Sequence, residues 1–212
     1  MTSLSPPAQT SQAHARAPAD RVARIPERRG GGRLTLCVTG IGVLLASFAV
    51  SPDARGALGG ALGLLTLAIA RTDGRRFVIP DPFSGAAFAL GIINAFSSDE
   101  GGTTGALTAM GSATLAACLF FVIRVAYRWI RGREGLGLGD VKLAAAAGAW
   151  LTLPMLSLAI EIAAATGLAA YLWRRCKRGR AMRAAARIPF GAFFAPAIWL
   201  AWLLDTGIAN WG

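Results

Sequence analysis

Seven apolar stretches, Leu34–Ser51, Gly56–Ala70, Phe83–Ser97, Gly105–Ile123, Val141–Leu153, Met155–Trp173 and Phe190–Leu204, account for most of this 212-residue chain. Apolar runs of roughly 17–25 residues have the length of a membrane-crossing helix, and lipid admits few other ways of satisfying a backbone. Only 16% of the residues are charged, where a soluble domain carries about 25%, and the mean hydropathy is +0.50. The expected fold is all-α, a polytopic membrane helical bundle of about seven transmembrane helices. The fifth stretch covers roughly 20 Å at the helical rise, less than a hydrocarbon core. It is short enough to form a tight hairpin with the span that follows.

A net charge of +11 invites a nucleic-acid reading, but in a membrane protein basic residues report which loops face the cytoplasm. Seven spans place the N-terminal tail, Arg71–Pro82, Arg124–Gly139 and Arg174–Pro189 on one side. Of the 22 Lys and Arg residues, counting Lys142 with that side, all but Arg55 fall there. Asp53, Asp99, Glu100 and Asp205 make the opposite side acidic. The expected orientation puts the N-terminus in the cytoplasm and the C-terminus outside. The basic loops are expected to touch anionic lipid headgroups. RRCKRGRAMRAAAR contains no aromatic residue, so nucleic acid is not an expected partner. Residues 1–33, rich in Pro, Ala, Ser and Arg, read as a disordered basic cytoplasmic tail without the apolar core of a cleavable signal peptide. Residues 34–51 form a first span.

The chemistry available is narrow. His14, the sole histidine, lies in the tail, so no span carries a base for a serine nucleophile or a HExxH zinc site. Cys37, Cys118 and Cys176 are widely separated and form no CxxC pair. No metal or other cofactor is expected. Acids at a membrane edge are costly and therefore candidates by default, and four qualify: Asp73, Asp81, Asp140 and Glu161. Asp73 follows the second span and Asp140 opens the fifth, so both lie at one depth near the basic side. If their helices are neighbours, the two carboxylates can share a proton, the ionised one activating water while the protonated one polarises a carbonyl. Gly137 and Gly139 leave room for a tight turn and a close substrate approach. The plainer alternatives are an N-cap for Asp140 and, for Asp73, a solvated loop acid balanced by Arg71, Arg75 and Arg76. Asp81 reads as a turn residue between Pro80 and Pro82. Glu161, in LSLAIEIAAATG, calls for protonation and a hydrogen bond in the bundle, or a partner such as Lys142. Lys142 itself could instead tune Asp140 or snorkel to the interface.

The segments DGRRFVIPD (Asp73 to Asp81), GLGDVKLAAAAGAW (with Gly137, Gly139, Asp140, Lys142 and Trp150) and Pro189-Phe190-Gly191 together resemble the prepilin peptidase family of GxGD-type aspartic membrane proteases. The resemblance implies a membrane domain over residues 55–208, a six-helix peptidase core preceded by one extra N-terminal span. It implies that Asp73 and Asp140 are catalytic, with Gly137, Gly139, Lys142, Ile79 and Pro80 shaping the site. The implied activity is cleavage of the basic leader of type IV prepilin or pseudopilin precursors at the cytoplasmic face of the bacterial inner membrane. The absence of paired CxxC motifs implies the short, peptidase-only form, without N-methyltransferase activity. The competing reading is a non-catalytic membrane component or a small proton- or cation-coupled transporter. Nothing in the sequence specifies an oligomeric state.

Overall fold

A computed structural model describes residues 29–98, 101–178 and 189–211. Among these residues the chain is entirely helical: α1 (Arg29–Val50), α2 (Ala54–Arg76), α3 (Asp81–Phe96), α4 (Gly102–Arg131), α5 (Leu138–Trp150), α6 (Leu153–Arg178) and α7 (Phe190–Trp211). Three of them, α4, α6 and α7, are long and apolar enough to cross a membrane, and α1 carries a shorter apolar run, Leu34–Val50. At 16 and 13 residues, α3 and α5 are short of that length. The outward faces of α4 and α6 expose Leu107, Leu115, Val122 and Leu168, a surface suited to lipid. His14 and the acids Asp99 and Glu100 lie outside the described residues, as does the basic segment 179–188.

The short α5 occupies the middle. Leu143, Ala144, Ala146 and Ala147 are completely or almost completely buried, with α3, α4 and α7 packed around them. Small residues set the spacing, as expected where helix association in lipid relies on close contact. A Cβ on Gly148 would lie 2.6 Å from the Ser112 carbonyl oxygen, so α4 and α5 approach backbone to backbone there. On α2, Gly59 and Gly63 receive the rings of Trp202 and Trp199 from α7. The Trp199 indole N–H donates to Ser47 Oγ at 3.1 Å, which ties α1 to the same seam. The Trp150 indole N–H donates to the Ala87 carbonyl at 2.7 Å, joining α5 to α3.

Only Leu151 and Thr152 separate α5 from α6, as a tight hairpin requires. The two nevertheless pack little on each other, because α6 leans on α7 while α3 and α4 enclose α5. Pro154, in the first turn of α6, starts that helix rather than ending a span.

Candidate active site

Asp73 lies in the last turn of α2 and Asp140 in the first turn of α5. Both are outside the apolar stretches, at the basic end of their helices, and both are buried, at 6% and 9% exposure. That burial removes the reading of Asp73 as a solvated loop acid, and the neighbouring Arg75 and Arg76 point outward. Its helix stops because Phe77 adopts a left-handed conformation, φ 55°, and returns its N–H to the Asp73 carbonyl at 2.9 Å. Asp140 is not an N-cap either. Gly137 holds that position, and the Asp140 Oδ2 reaches back to accept its N–H at 3.0 Å. The carboxylate half of a capping box is thus in place.

The two helices are joined mainly through third parties, α3 and α7, each of which packs on both. The first turn of α7 supplies a donor: Ala192 N–H bonds Asp73 Oδ2 at 2.8 Å. The Pro189–Gly191 segment therefore delivers a helix N-terminus to a carboxylate 119 residues earlier in sequence; the Ala192 amide is shared with the Pro189 carbonyl at the longer distance of 3.2 Å. Ile79 is wedged between the first turns of α5 and α7. A Cβ at Gly139 would lie 3.0 Å from Ile79 Cβ, and one at Gly191 would lie 2.6 Å from Ile79 Cδ1 and 3.0 Å from Asp73 Oδ2. The space expected at Gly139 for a substrate backbone is filled here by Ile79.

Burial pushes the Asp140 carboxyl up to about 6; the Gly137 amide opposes this, the Asp73 charge adds to it, and Arg124 pulls the other way. Asp73 is also raised by burial, against the amides of Ala192 and, secondarily, Gly191. Ile79 borders both acid sites, packing against Gly139 beside Asp140 and against Gly191 beside Asp73.

Lys142 turns to Asp81, Nζ to Oδ1 2.7 Å, with both side chains more than half exposed. It is thereby committed away from both Asp140 and Glu161. Asp81 opens α3 behind the capping Pro80 rather than standing in a free turn. Glu161 is exposed on α6, not buried in the bundle. Two contributors escaped the sequence reading. The sequence marks Arg124 only as one basic residue of the Arg124–Gly139 loop. In the structure it donates to the Leu136 carbonyl at 2.9 Å and to Glu134 Oε1 at 3.0 Å, clipping the loop that leads into α5. Ala192 carries no side-chain chemistry, so only its place after Pro189-Phe190-Gly191 could have marked it.

Fold and site define a class: an all-helical bundle of membrane character holding two buried carboxylates at its basic end. Residues 60–172 match the Type IV leader peptidase family, and the chain belongs to that family. It is similar to a prepilin leader peptidase/N-methyltransferase of Burkholderia pseudomallei, 35% identical over 77% of this chain and 56% of that protein. A protein of the same name from Aeromonas hydrophila is 33% identical over 50% of this chain and 38% of its own length. The leader peptidase HopD of Escherichia coli is 38% identical over 42% of this chain and 57% of its own. The chain thus spans roughly half the length of these curated relatives. No solved structure matches.

Proposed function

We propose that the protein is an aspartic endopeptidase that removes the basic leader from type IV prepilin-like precursors, with Asp73 and Asp140 as the catalytic pair. The observation that carries the reading is the burial of these two acids at one end of the bundle, inside the segment that matches the family. The proposed topology has seven spans across the bacterial inner membrane, with the N-terminus and the active site on the cytoplasmic side, as the distribution of Lys and Arg favours. The described cysteines, Cys37, Cys118 and Cys176, are exposed and free; they form no CxxC pair, so the proposal is confined to peptidase activity.

In the proposed reaction one carboxylate, ionised, takes a proton from water as the oxygen attacks the scissile carbonyl carbon. The other, protonated, gives its proton to the carbonyl oxygen. Collapse of the resulting diol breaks the C–N bond, the proton held by the first acid goes to the leaving nitrogen, and the second acid recovers its own. Ile79 and Gly139 would line the approach, Ile79 shifting to admit the substrate backbone. The pairing of Lys142 with Asp81 would hold the start of α3, and hence Pro80 and Ile79, against α5.

The test is co-expression of a candidate prepilin with the wild-type protein, Asp73→Asn or Asp140→Asn. Leader removal should be lost, by a factor of at least about a thousand, in either variant. Cleavage at the wild-type rate by either one would sink the aspartyl-pair reading.

A further inference from the structure

Two acids that share a proton need something to decide which of them carries it. Their immediate surroundings differ. Asp140 is served by one amide of its own loop, Gly137 N–H at 3.0 Å. It lies on the helix with the most buried surroundings, next to Leu143, Ala144 and the Ile79 wedge. Asp73 receives the front of a separate helix: Ala192 N–H at 2.8 Å, with the Gly191 amide beside it. Both acids face a helix N-terminus, Asp140 that of its own α5 and Asp73 that of the 22-residue α7, which offsets the negative end of α2 under Asp73. Carboxylates that accept amides are held in the ionised form, and Asp73 has the Gly191 amide in addition to that of Ala192.

We propose that the first turn of α7 is the positioning element that sets the order of ionisation: its Ala192 amide keeps Asp73 as the carboxylate that accepts the proton of water, and leaves Asp140 to carry the shared proton. This rests on the peptidase reading above and assigns the two roles that reading leaves interchangeable. The other charged groups around the pair do not reverse the order. Arg124 favours an ionised Asp140, but its guanidinium is already engaged by Glu134 and the Leu136 carbonyl, and its pull is the smallest influence on that acid. Lys142 is taken by Asp81, and Arg75 and Arg76 face outward. The rise of Asp140 to about 6 agrees with its place as the proton carrier.

Gly191 belongs to the same device. With no side chain it lets Asp73 Oδ2 and Ile79 close on the helix end, and an added Cβ would meet both.

The test replaces the Ala192 amide N–H by an ester oxygen, through incorporation of the corresponding α-hydroxy acid in the full-length protein. Ala192→Pro is the simpler variant, tolerated in a first helical turn, and Gly111→Ala on α4, whose added methyl meets nothing within 4 Å, is the control. Protonation of each acid is read as labelling by a hydrophobic carbodiimide, which modifies protonated carboxyls, followed across pH by mass spectrometry. In the wild type, Asp140 should be labelled at higher pH than Asp73. The ester should move the Asp73 profile up by about one pH unit, move the acid limb of kcat/KM with it, and leave KM near the wild-type value; Gly111→Ala should move neither. Labelling of Asp73 ahead of Asp140 in the wild type, or an Asp73 profile unmoved by the ester, overturns the assignment even with cleavage intact. Absence of cleavage by the wild type with the labelling order preserved would instead count against the peptidase reading and support the ionisation order.

Discussion

Replacing Asp140 by Asn should abolish cleavage and at the same time make the protein more stable above pH 6. The folded structure holds this carboxyl up to about 6, from a usual value of 3.8, chiefly by burial. For a group whose folded pKa is raised, stability is complete below the unfolded value and is lost as pH rises through the folded one. The difference is about two units, so at pH 8 the ionised side chain costs about 3 kcal/mol. Asn keeps the shape, keeps an oxygen for the Gly137 N–H, and has no charge to desolvate. In a protein of this size 3 kcal/mol corresponds to about 6–12 °C in Tm. Thermal melts followed by the fluorescence of the six tryptophans, in one detergent between pH 4 and 9, measure it directly. Wild-type Tm should fall through pH 6 relative to Asp140→Asn, and the two curves should converge by pH 4. Asp140→Ala should gain less by about 1 kcal/mol, because it leaves the Gly137 amide without its acceptor. A Tm difference that is the same at pH 4 and pH 8, or a wild type no less stable than Asp140→Asn at pH 8, would refute the claim that this site stores a costly charge.

Two further substitutions probe the frame. Arg124→Gln removes a charge that favours the ionised form of Asp140 and the clip on the Leu136 carbonyl; the alkaline limb of kcat/KM should move to higher pH and kcat should drop about tenfold, whereas an unmoved limb would deny Arg124 any influence on the pair. Gly148→Ala puts a methyl group against the backbone of Ser112 and Ala113, where no rotamer can yield, and should cost about 1–3 kcal/mol by the same melts; Gly111→Ala, which meets nothing within 4 Å, is the neutral control.

The seven helices were legible because lipid leaves the backbone one economical solution, so apolar length alone marks the elements. What length could not give is which helix contacts which. Val141–Leu153 invited a hairpin with its sequence neighbour, yet the residues of α5, mostly Ala, Gly and Leu, fit equally well against any close-packed helix. Gly148 and the Trp150–Ala87 hydrogen bond commit it to α4 and α3 instead. The two acids were legible for a different reason, since a carboxyl at a membrane edge stands out against its surroundings. Their backbone donors were not, because every residue but proline has an N–H and nothing in a side chain announces that one is aimed at a carboxylate 119 residues away.

Glu161 shows where this economy of inference fails. A mid-span acid calls for protonation and a hydrogen bond in the bundle, or for a base such as Lys142. The structure gives that lysine to Asp81, because α6 meets α7 and barely touches α5. Charge pairing across helices follows packing, and packing in lipid is decided by small residues whose sequence signal is weak. The same dependence explains why Asp73 and Asp140 come together although their helices share little direct contact. What unites them is a wedge, Ile79, and a helix end, Gly191–Ala192, the first just before Pro80 and the second just after Pro189. Pro80 and Pro189 each stand just before a helix start, where a fixed φ and a missing N–H suit the turn. The two prolines thus fix where α3 and α7 begin, and with that the depth at which the acids are gripped.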